Sequence, residues 1–258
     1  MHCFFNNKMD KSKRESVFKF KHFHVKNENS AMKVGTDGVL LGAWADFTSA
    51  HNILDIGTGT GLIALMAAQR SNATIIGVEI DSTAANEAKE NINASPWQKR
   101  ISVINSDITH IIKDLKKFDH IVSNPPFFMN GILAPDSSRA TARHCNSLNF
   151  SSLISIAYNR LSKNGKLSFI SPYDNKENII YNATLYNMTI SRYTEVYSNP
   201  KKVVPVRILC ELTLQHTTTD KSKLYIRDID TLIPQHYYKY NFLSSWATFC
   251  CSGTYKLI

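Results

Sequence analysis

The chain has 258 residues, 43% hydrophobic and 20% charged, the ordinary balance of a soluble globular protein with a large core in one or two domains. Its 30 Lys and Arg against 21 Asp and Glu leave a net charge of +9, which favours an anionic partner, nucleic acid above all, although the same excess also serves solubility. No apolar run approaches the roughly 18 residues of a membrane span, and the first residues hold no continuous apolar stretch of the secretory kind, so a cytoplasmic, membrane-free protein is expected.

The positive charge is uneven. Residues 1–26 carry Lys8, Lys11, Lys13, Arg14, Lys19, Lys21 and Lys26 against Asp10 and Glu15, and read as a basic arm. The body of the chain, 27–236, shows no repeat and no interior linker and reads as one domain. The segment 237–258 mixes aromatics, Ser and Cys250-Cys251 without a period and is expected to be an atypical tail. Cys3, Cys145, Cys210, Cys250 and Cys251 form no CxxC pair, which suits free thiols in a reducing cytosol. No HExxH is present, and His22 and His24 fit one face of a local strand, so no metal site is expected.

After a mixed segment, Ala31–Phe47, strand-like and helix-like stretches alternate. Asn52–Ile56 is an apolar strand, Leu62–Gln69 a buried helix, and Thr74–Val78 a β-branched strand. Ala84, Ala85, Ala88 and Ile92 recur at helical spacing. Ile101–Ile104 and Phe118–Val122 are strands, Phe150–Leu161 is a helix, Lys166–Ile170 a strand, and Asn175–Tyr186 a helix. Thr189–Tyr197 and Val203–Leu214 follow directly and predict an antiparallel pair at one sheet edge. The alternation predicts an α/β fold with a mainly parallel sheet and helices on both faces, whose ligands bind at the carboxyl ends of the strands. Met129–Leu148 is the longest stretch without a period, a loop placed where loops are more often functional than idle.

The candidate motifs all follow predicted strands. Asp55-Ile56-Gly57-Thr58-Gly59-Thr60-Gly61 ends the first central strand and opens a helix. Its glycines allow a tight turn and close approach of a ligand to the backbone. A dinucleotide fingerprint would need a third glycine at position 62, where Leu62 stands, so the spacing is that of S-adenosylmethionine enzymes. Asp55 is placed to hold the donor's amino group. Glu79, ending the next strand, is placed to accept from both ribose hydroxyls. Asp107 is placed to accept from the adenine amino group, with Ile80 and Ile108 flanking the ring. Each carboxylate taken singly is as well explained by an ordinary surface position.

Asn124-Pro125-Pro126-Phe127 follows the strand at Phe118–Val122. The Asn side-chain oxygen and a Pro carbonyl accept hydrogen bonds from an –NH2 group, Pro stiffens the stretch and offers no N–H, and Phe127 offers a stacking face. The tetrad therefore suits holding a planar amine while it is alkylated.

Met32-Lys33-Val34-Gly35-Thr36-Asp37-Gly38-Val39-Leu40-Leu41-Gly42-Ala43-Trp44, the glycine loop, the tetrad and Ala142-Arg143-His144 together resemble the tRNA1(Val) (adenine(37)-N6)-methyltransferase family, from about Phe18 to Leu214. The resemblance implies a Rossmann-like class I methyltransferase with a seven-stranded sheet and a reversed strand at its edge. It further implies S-adenosylmethionine as donor and N6 of an adenine beside the tRNA anticodon as acceptor. It also places Thr36 and Asp37 at the methionine end of the donor, where a capping role for Asp37 is the alternative. The chain departs from the family at Tyr240–Ile258, which lacks the usual Thr-Lys-Asp-Phe-Tyr-like closing segment.

Lys13, Arg14, Lys33, Arg139, Arg143 and His144 are the candidate tRNA contacts, with loop ordering the alternative for Arg143 and His144. A monomer is expected. Three other functions share parts of the pattern. A glutamine N5 protein methyltransferase also alkylates a planar amide but usually carries a sizeable helical domain before the motif. A guanine-N2 rRNA methyltransferase often has a duplicated domain. A non-catalytic RNA-binding protein has no use for intact Gly57, Gly59, Gly61, Glu79 and Asn124.

Overall fold

The computed structural model describes residues 17–30, 34–126 and 149–227. Lys13, Arg14, Lys33, Phe127, Arg139, Arg143, His144 and the segment 237–258 lie outside the described residues.

A short hairpin comes first, β1 (Val17–Lys19) against β2 (His24–Lys26), and a helix α1 (Thr36–Trp44) follows. The alternating body is β3 (Asn52–Ile56), α2 (Leu62–Arg70), β4 (Thr74–Glu79), α3 (Ser82–Asn93), β5 (Ile101–Asn105), α4 (Ile108–Ile111), β6 (Phe118–Ser123), α5 (Phe150–Arg160) and β7 (Leu161–Pro172). It closes with α6 (Lys176–Leu185), β8 (Thr189–Tyr197), β9 (Arg207–Thr213) and β10 (Asp220–Tyr225). The large sheet has the order β10-β8-β9-β7-β6-β3-β4-β5. All its pairings are parallel except those of β9, which runs antiparallel to both β7 and β8.

The mainly parallel α/β sheet and the antiparallel β8–β9 pair agree with the sequence. Two details are corrected. Among the described residues the sheet has eight strands rather than seven, and the reversed strand lies third from the edge because β10 adds itself parallel to β8. The reason β10 escapes notice is its composition, Asp-Lys-Ser-Lys-Leu-Tyr, which is polar because four of its six residues are exposed. Part of the supposed basic arm is also built into the body: Phe23 is 4% exposed and Val25 fully buried, while Lys21, His22, His24 and Lys26 face solvent.

Successive residues of the central strands feed opposite faces of the sheet. Ile53 packs with Leu41, Leu65 and Ile75 on the α1–α2 side, whereas Leu54 packs with Ile121, Leu153 and Phe169 on the α5 side. Covered on both faces, these strands read as unbroken apolar runs. Among the described residues no helix is long and apolar enough to cross a membrane, and no group of three His, Cys, Asp or Glu side chains is arranged to hold a metal.

Candidate active site at the carboxyl ends of the strands

The switch in strand order falls between β3, which leads out to β4, and β6, which leads out to β7. In open α/β sheets this is where ligands bind. The glycine loop leaves β3 there, and Asn124 follows β6 next to it.

The loop is bent by three residues at positive φ, Gly57 at 70°, Gly59 at 55° and Gly61 at 83°, a region other L-residues enter at a cost. It is tied to the neighbouring strand by Gly57 and Thr58, whose N–H groups donate to the Val78 carbonyl at 2.9 and 3.1 Å. A Cβ added at Gly57 or Gly59 would meet nothing within 4 Å, so the loop leaves open space along its backbone.

Asp55 is fully buried beneath this loop. Its Oδ2 accepts from the Thr58 hydroxyl at 2.6 Å, while Oδ1 makes no hydrogen bond of ordinary geometry. Burial pushes its carboxyl up to about 7, against the opposing influence of the Thr58 hydroxyl and the Ala64 backbone. Room for Thr58 exists because residue 77 is glycine: a Cβ there would stand 3.0 Å from Thr58 Cγ2 and Oγ1.

Glu79 braces the loop from the end of β4. Its Oε2 accepts from the Gly59 N–H at 2.8 Å and its Oε1 from the Asp81 N–H at 3.0 Å. The Asn105 amide donates to the Glu79 and Ile80 carbonyls at 2.8 and 3.1 Å, which fixes the backbone on which Glu79 is mounted. Asp107 sits at the N-terminus of α4, its Oδ1 accepting from the Thr109 N–H and hydroxyl, each at 2.8 Å. The two flanking isoleucines differ. Ile80 is 53% exposed at the rim, whereas Ile108 is 6% exposed and packs into the core with Leu54 and Ile121.

Asn124 is partly buried and Pro125 buried, with Pro126 exposed. Just before them the Ser123 hydroxyl donates to the Ile56 carbonyl at 2.8 Å, pinning the end of β6 to the end of β3. From the other side α1 closes in: a Cβ at Gly38 would lie 3.2 Å from Leu62 Cδ2 and 3.8 Å from Asn124 Nδ2. Asp37, one residue earlier, does not cap its helix. The N-cap is Gly35, which makes no side-chain cap bond, and Asp37 Oδ2 accepts from Arg207 Nε at 2.9 Å. Thr36 opens the same helix and is partly buried.

The structure thus gathers Thr36, Asp37, Asp55, Gly57, Gly59, Gly61, Glu79, Ile80, Asp107 and Asn124 at one end of the sheet. Ser123, Asn105, Gly77 and Arg207 are positioning residues that the motifs alone do not reveal. A glycine interrupting a β-branched strand was the one readable signal, since it marks a close approach. A cavity of about 450 Å³ lined by Asp46, His51, Asp119 and Lys166 lies at the amino ends of β3 and β6, the opposite end from every one of these residues.

The model of the family described as Methyltransferase small domain matches residues 32–198. A tRNA1(Val) (adenine(37)-N6)-methyltransferase of Phocaeicola vulgatus is 44% identical over 227 residues, covering 88% of this chain and 94% of the relative. The protein of the same name from Haemophilus influenzae (strain PittEE) is 43% identical over 218 residues, covering 83% and 92%. Among solved structures, a "predicted O-methyltransferase" from Agrobacterium tumefaciens superposes with a TM-score of 0.59 at 20% identity, over 76% of this chain and 90% of that one. A 16S rRNA N2 G1207 methyltransferase from T. thermophilus, solved with AdoMet and guanosine, gives 0.50 at 21% identity, over 75% and 47%. The two structures share the fold.

Proposed function

Because this chain belongs to the tRNA1(Val) (adenine(37)-N6)-methyltransferase family, we propose that it transfers the methyl group of S-adenosylmethionine to N6 of adenine 37 in tRNA1(Val). The observation that carries the reading is the meeting of Asn124-Pro125 with the Gly57–Gly61 loop at the switch point of the sheet.

The residues present fit the donor. The loop is open where a Cβ would stand at Gly57 and Gly59, Asp55 keeps one buried oxygen without a hydrogen bond, and Glu79 and Ile80 rim the same opening. In this reading Asp55 is set toward the donor's amino group and Glu79 toward the ribose. Asp107 and Ile80 serve the adenine, while Ile108 acts from below by sealing the core. Thr36 and Asp37 line the methionine end, with Asp37 held by Arg207. When bound, the donor supplies a methyl group on a sulfonium, a strong electrophile.

The acceptor is the harder partner, because the exocyclic nitrogen of adenine delocalises its lone pair into the ring. The base is drawn out of its stack so that the nitrogen meets the methyl in line. Asn124 Oδ1 and the Pro125 carbonyl accept the two N6 hydrogens, and Phe127 stacks on the ring. Both acceptors stabilise the positive charge that develops on nitrogen as the methyl arrives. No general base is needed, since the resulting ammonium is acidic enough to lose its proton to water.

The test is transfer of labelled methyl onto total tRNA followed by nucleoside analysis. N6-methyladenosine confined to a valine tRNA is the expected result. Label in protein glutamine or in N2-methylguanosine would overturn it. Asn124→Ala should lower kcat by a factor on the order of 10² or more, as loss of one transition-state hydrogen bond does, while donor affinity stays within about threefold.

A further inference from the structure

We infer that the β8–β9 turn, residues 198–206, is a second RNA-contacting surface, gripping the tRNA a few nucleotides away from the base that is methylated; this rests on the RNA methyltransferase reading above. β8 runs parallel to β7 and β6, so the turn that leaves it lies at the same end of the sheet as Asn124. Three strand spacings separate β8 from β6, which places the turn roughly 15 Å from the tetrad. That is the span of two or three nucleotides of an extended strand.

The turn is built to present its side chains. Lys201 and Lys202 N–H groups donate to Asn199 Oδ1 and to the Asn199 carbonyl at 3.0 and 3.1 Å. Val206 N–H closes the turn on the Val196 carbonyl at 2.7 Å, and Pro205 is buried beneath it. What is left outside is cationic and apolar: Lys201 and Lys202 are exposed, Val203 is 89% exposed and Val204 62%. The N–H of Arg227, whose side chain is also exposed, donates to the Ser198 carbonyl, so a third cation joins the same corner.

No acidic residue occurs between Glu195 and Glu211, and Lys201, Lys202 and Arg227 enter no ion pair among the described residues. Val203 and Val204 stand exposed beside these cations, an apolar spot set in a cationic surface. They suit an occupant with phosphates for the cations and ribose or base faces for the valines, as a splayed RNA loop offers. The turn also reports to the site. It runs directly into Arg207, which holds Asp37, whose neighbour Gly38 lies against Asn124.

The test measures tRNA binding by fluorescence anisotropy and methyl transfer side by side. Lys201→Ala/Lys202→Ala should raise KM for tRNA about tenfold with kcat and donor Kd near wild type. It should also flatten the dependence of log K on log salt by about 1.4, two phosphate contacts at about 0.7 each on a single strand. Val203→Asp should raise the tRNA Kd likewise, and an unchanged melting temperature would show that both variants fold. Unaltered tRNA affinity and salt slope in both variants would overturn the proposal. So would a concentration-dependent dimer of the wild-type protein that Val203→Asp dissociates without changing tRNA affinity, since the turn would then be an interface between copies. Wild-type protein whose tRNA binding depends on this turn but which methylates no tRNA would sink the enzymatic reading and leave the surface standing.

Discussion

Gly77→Ala tests whether the glycine loop rests on Thr58. The added Cβ would stand 3.0 Å from Thr58 Cγ2 and Oγ1 and 3.1 Å from Thr58 Cβ. Relief to an ordinary contact of about 3.6 Å requires a shift of roughly 0.6 Å. Thr58 cannot turn aside freely, because its hydroxyl donates to buried Asp55 and its N–H to the Val78 carbonyl. The strain therefore passes into the loop. Overpacking costs about 1–3 kcal/mol, and a weakened bond to a buried carboxylate adds about 1 kcal/mol. A loss of about 2–4 kcal/mol in urea unfolding is expected, with donor affinity reduced about tenfold in calorimetric titration, since the loop N–H groups move as one unit. Wild-type stability together with wild-type donor affinity in Gly77→Ala would refute the idea that Thr58 supports the loop.

Asp55 and His120 give pH dependences of opposite sign. The folded value of Asp55, about 7, lies above its ordinary 3.8, so its contribution to stability is complete below pH 4 and is lost as pH rises through 7. Asp55→Asn should accordingly be more stable than wild type at pH 8, by about 2–4 kcal/mol, with the gap closing toward pH 4 in urea titrations, yet it should bind the donor more weakly. His120 is buried, its Nε2 2.9 Å from Ser168 Oγ, and burial pushes its imidazole down to about 4 from 6.5, against the pull of Glu211. Its contribution is present above pH 6.5 and lost as pH falls through 4. Wild type should therefore lose about 3 kcal/mol more than His120→Gln between those limits. Arg70 Nη1 donates to the carbonyls of Gly42, Ala43 and Ala45 at 2.7, 2.9 and 2.8 Å, closing the end of α1. Arg70→Met keeps the apolar stem but should cost about 2–3 kcal/mol in the same assay.

The central strands were legible because burial on both faces leaves a continuous apolar signal, as in Ile53-Leu54 and Ile121-Val122. The glycine loop was legible because its backbone, at positive φ at Gly57, Gly59 and Gly61, demands glycine at fixed spacing. What sequence could not show depends on partners far along the chain. The two strands of the N-terminal hairpin have only three residues each, too few for a period. Arg207 meets Asp37 across 170 positions, and no local pattern announces that pairing. Ile108 and Ile80 look alike in sequence, each just after a strand, yet only the structure shows that Ile108 packs into the core while Ile80 stands at the rim.

Glu87 and Asn91, on the buried face of α3, bear on where this folding unit begins. Glu87 Oε1 accepts from the Glu28 and Asn29 N–H groups at 2.6 and 3.1 Å, and Oε2 from the Ser30 N–H at 3.1 Å. The Asn91 amide accepts from the Lys26 N–H at 2.8 Å and donates to the Lys26 carbonyl at 3.0 Å and the Thr60 carbonyl at 2.9 Å. A protein trimmed to the point where the matched family model begins, residue 32, would strip Glu87 of these three backbone donors and Asn91 of two of its three bonds, and would open both side chains to water. Through Asn91, which bonds both Lys26 and the Thr60 carbonyl, the segment before residue 32 is tied to the side of the glycine loop. A piece of this chain that keeps these bonds has to include residues 26–30.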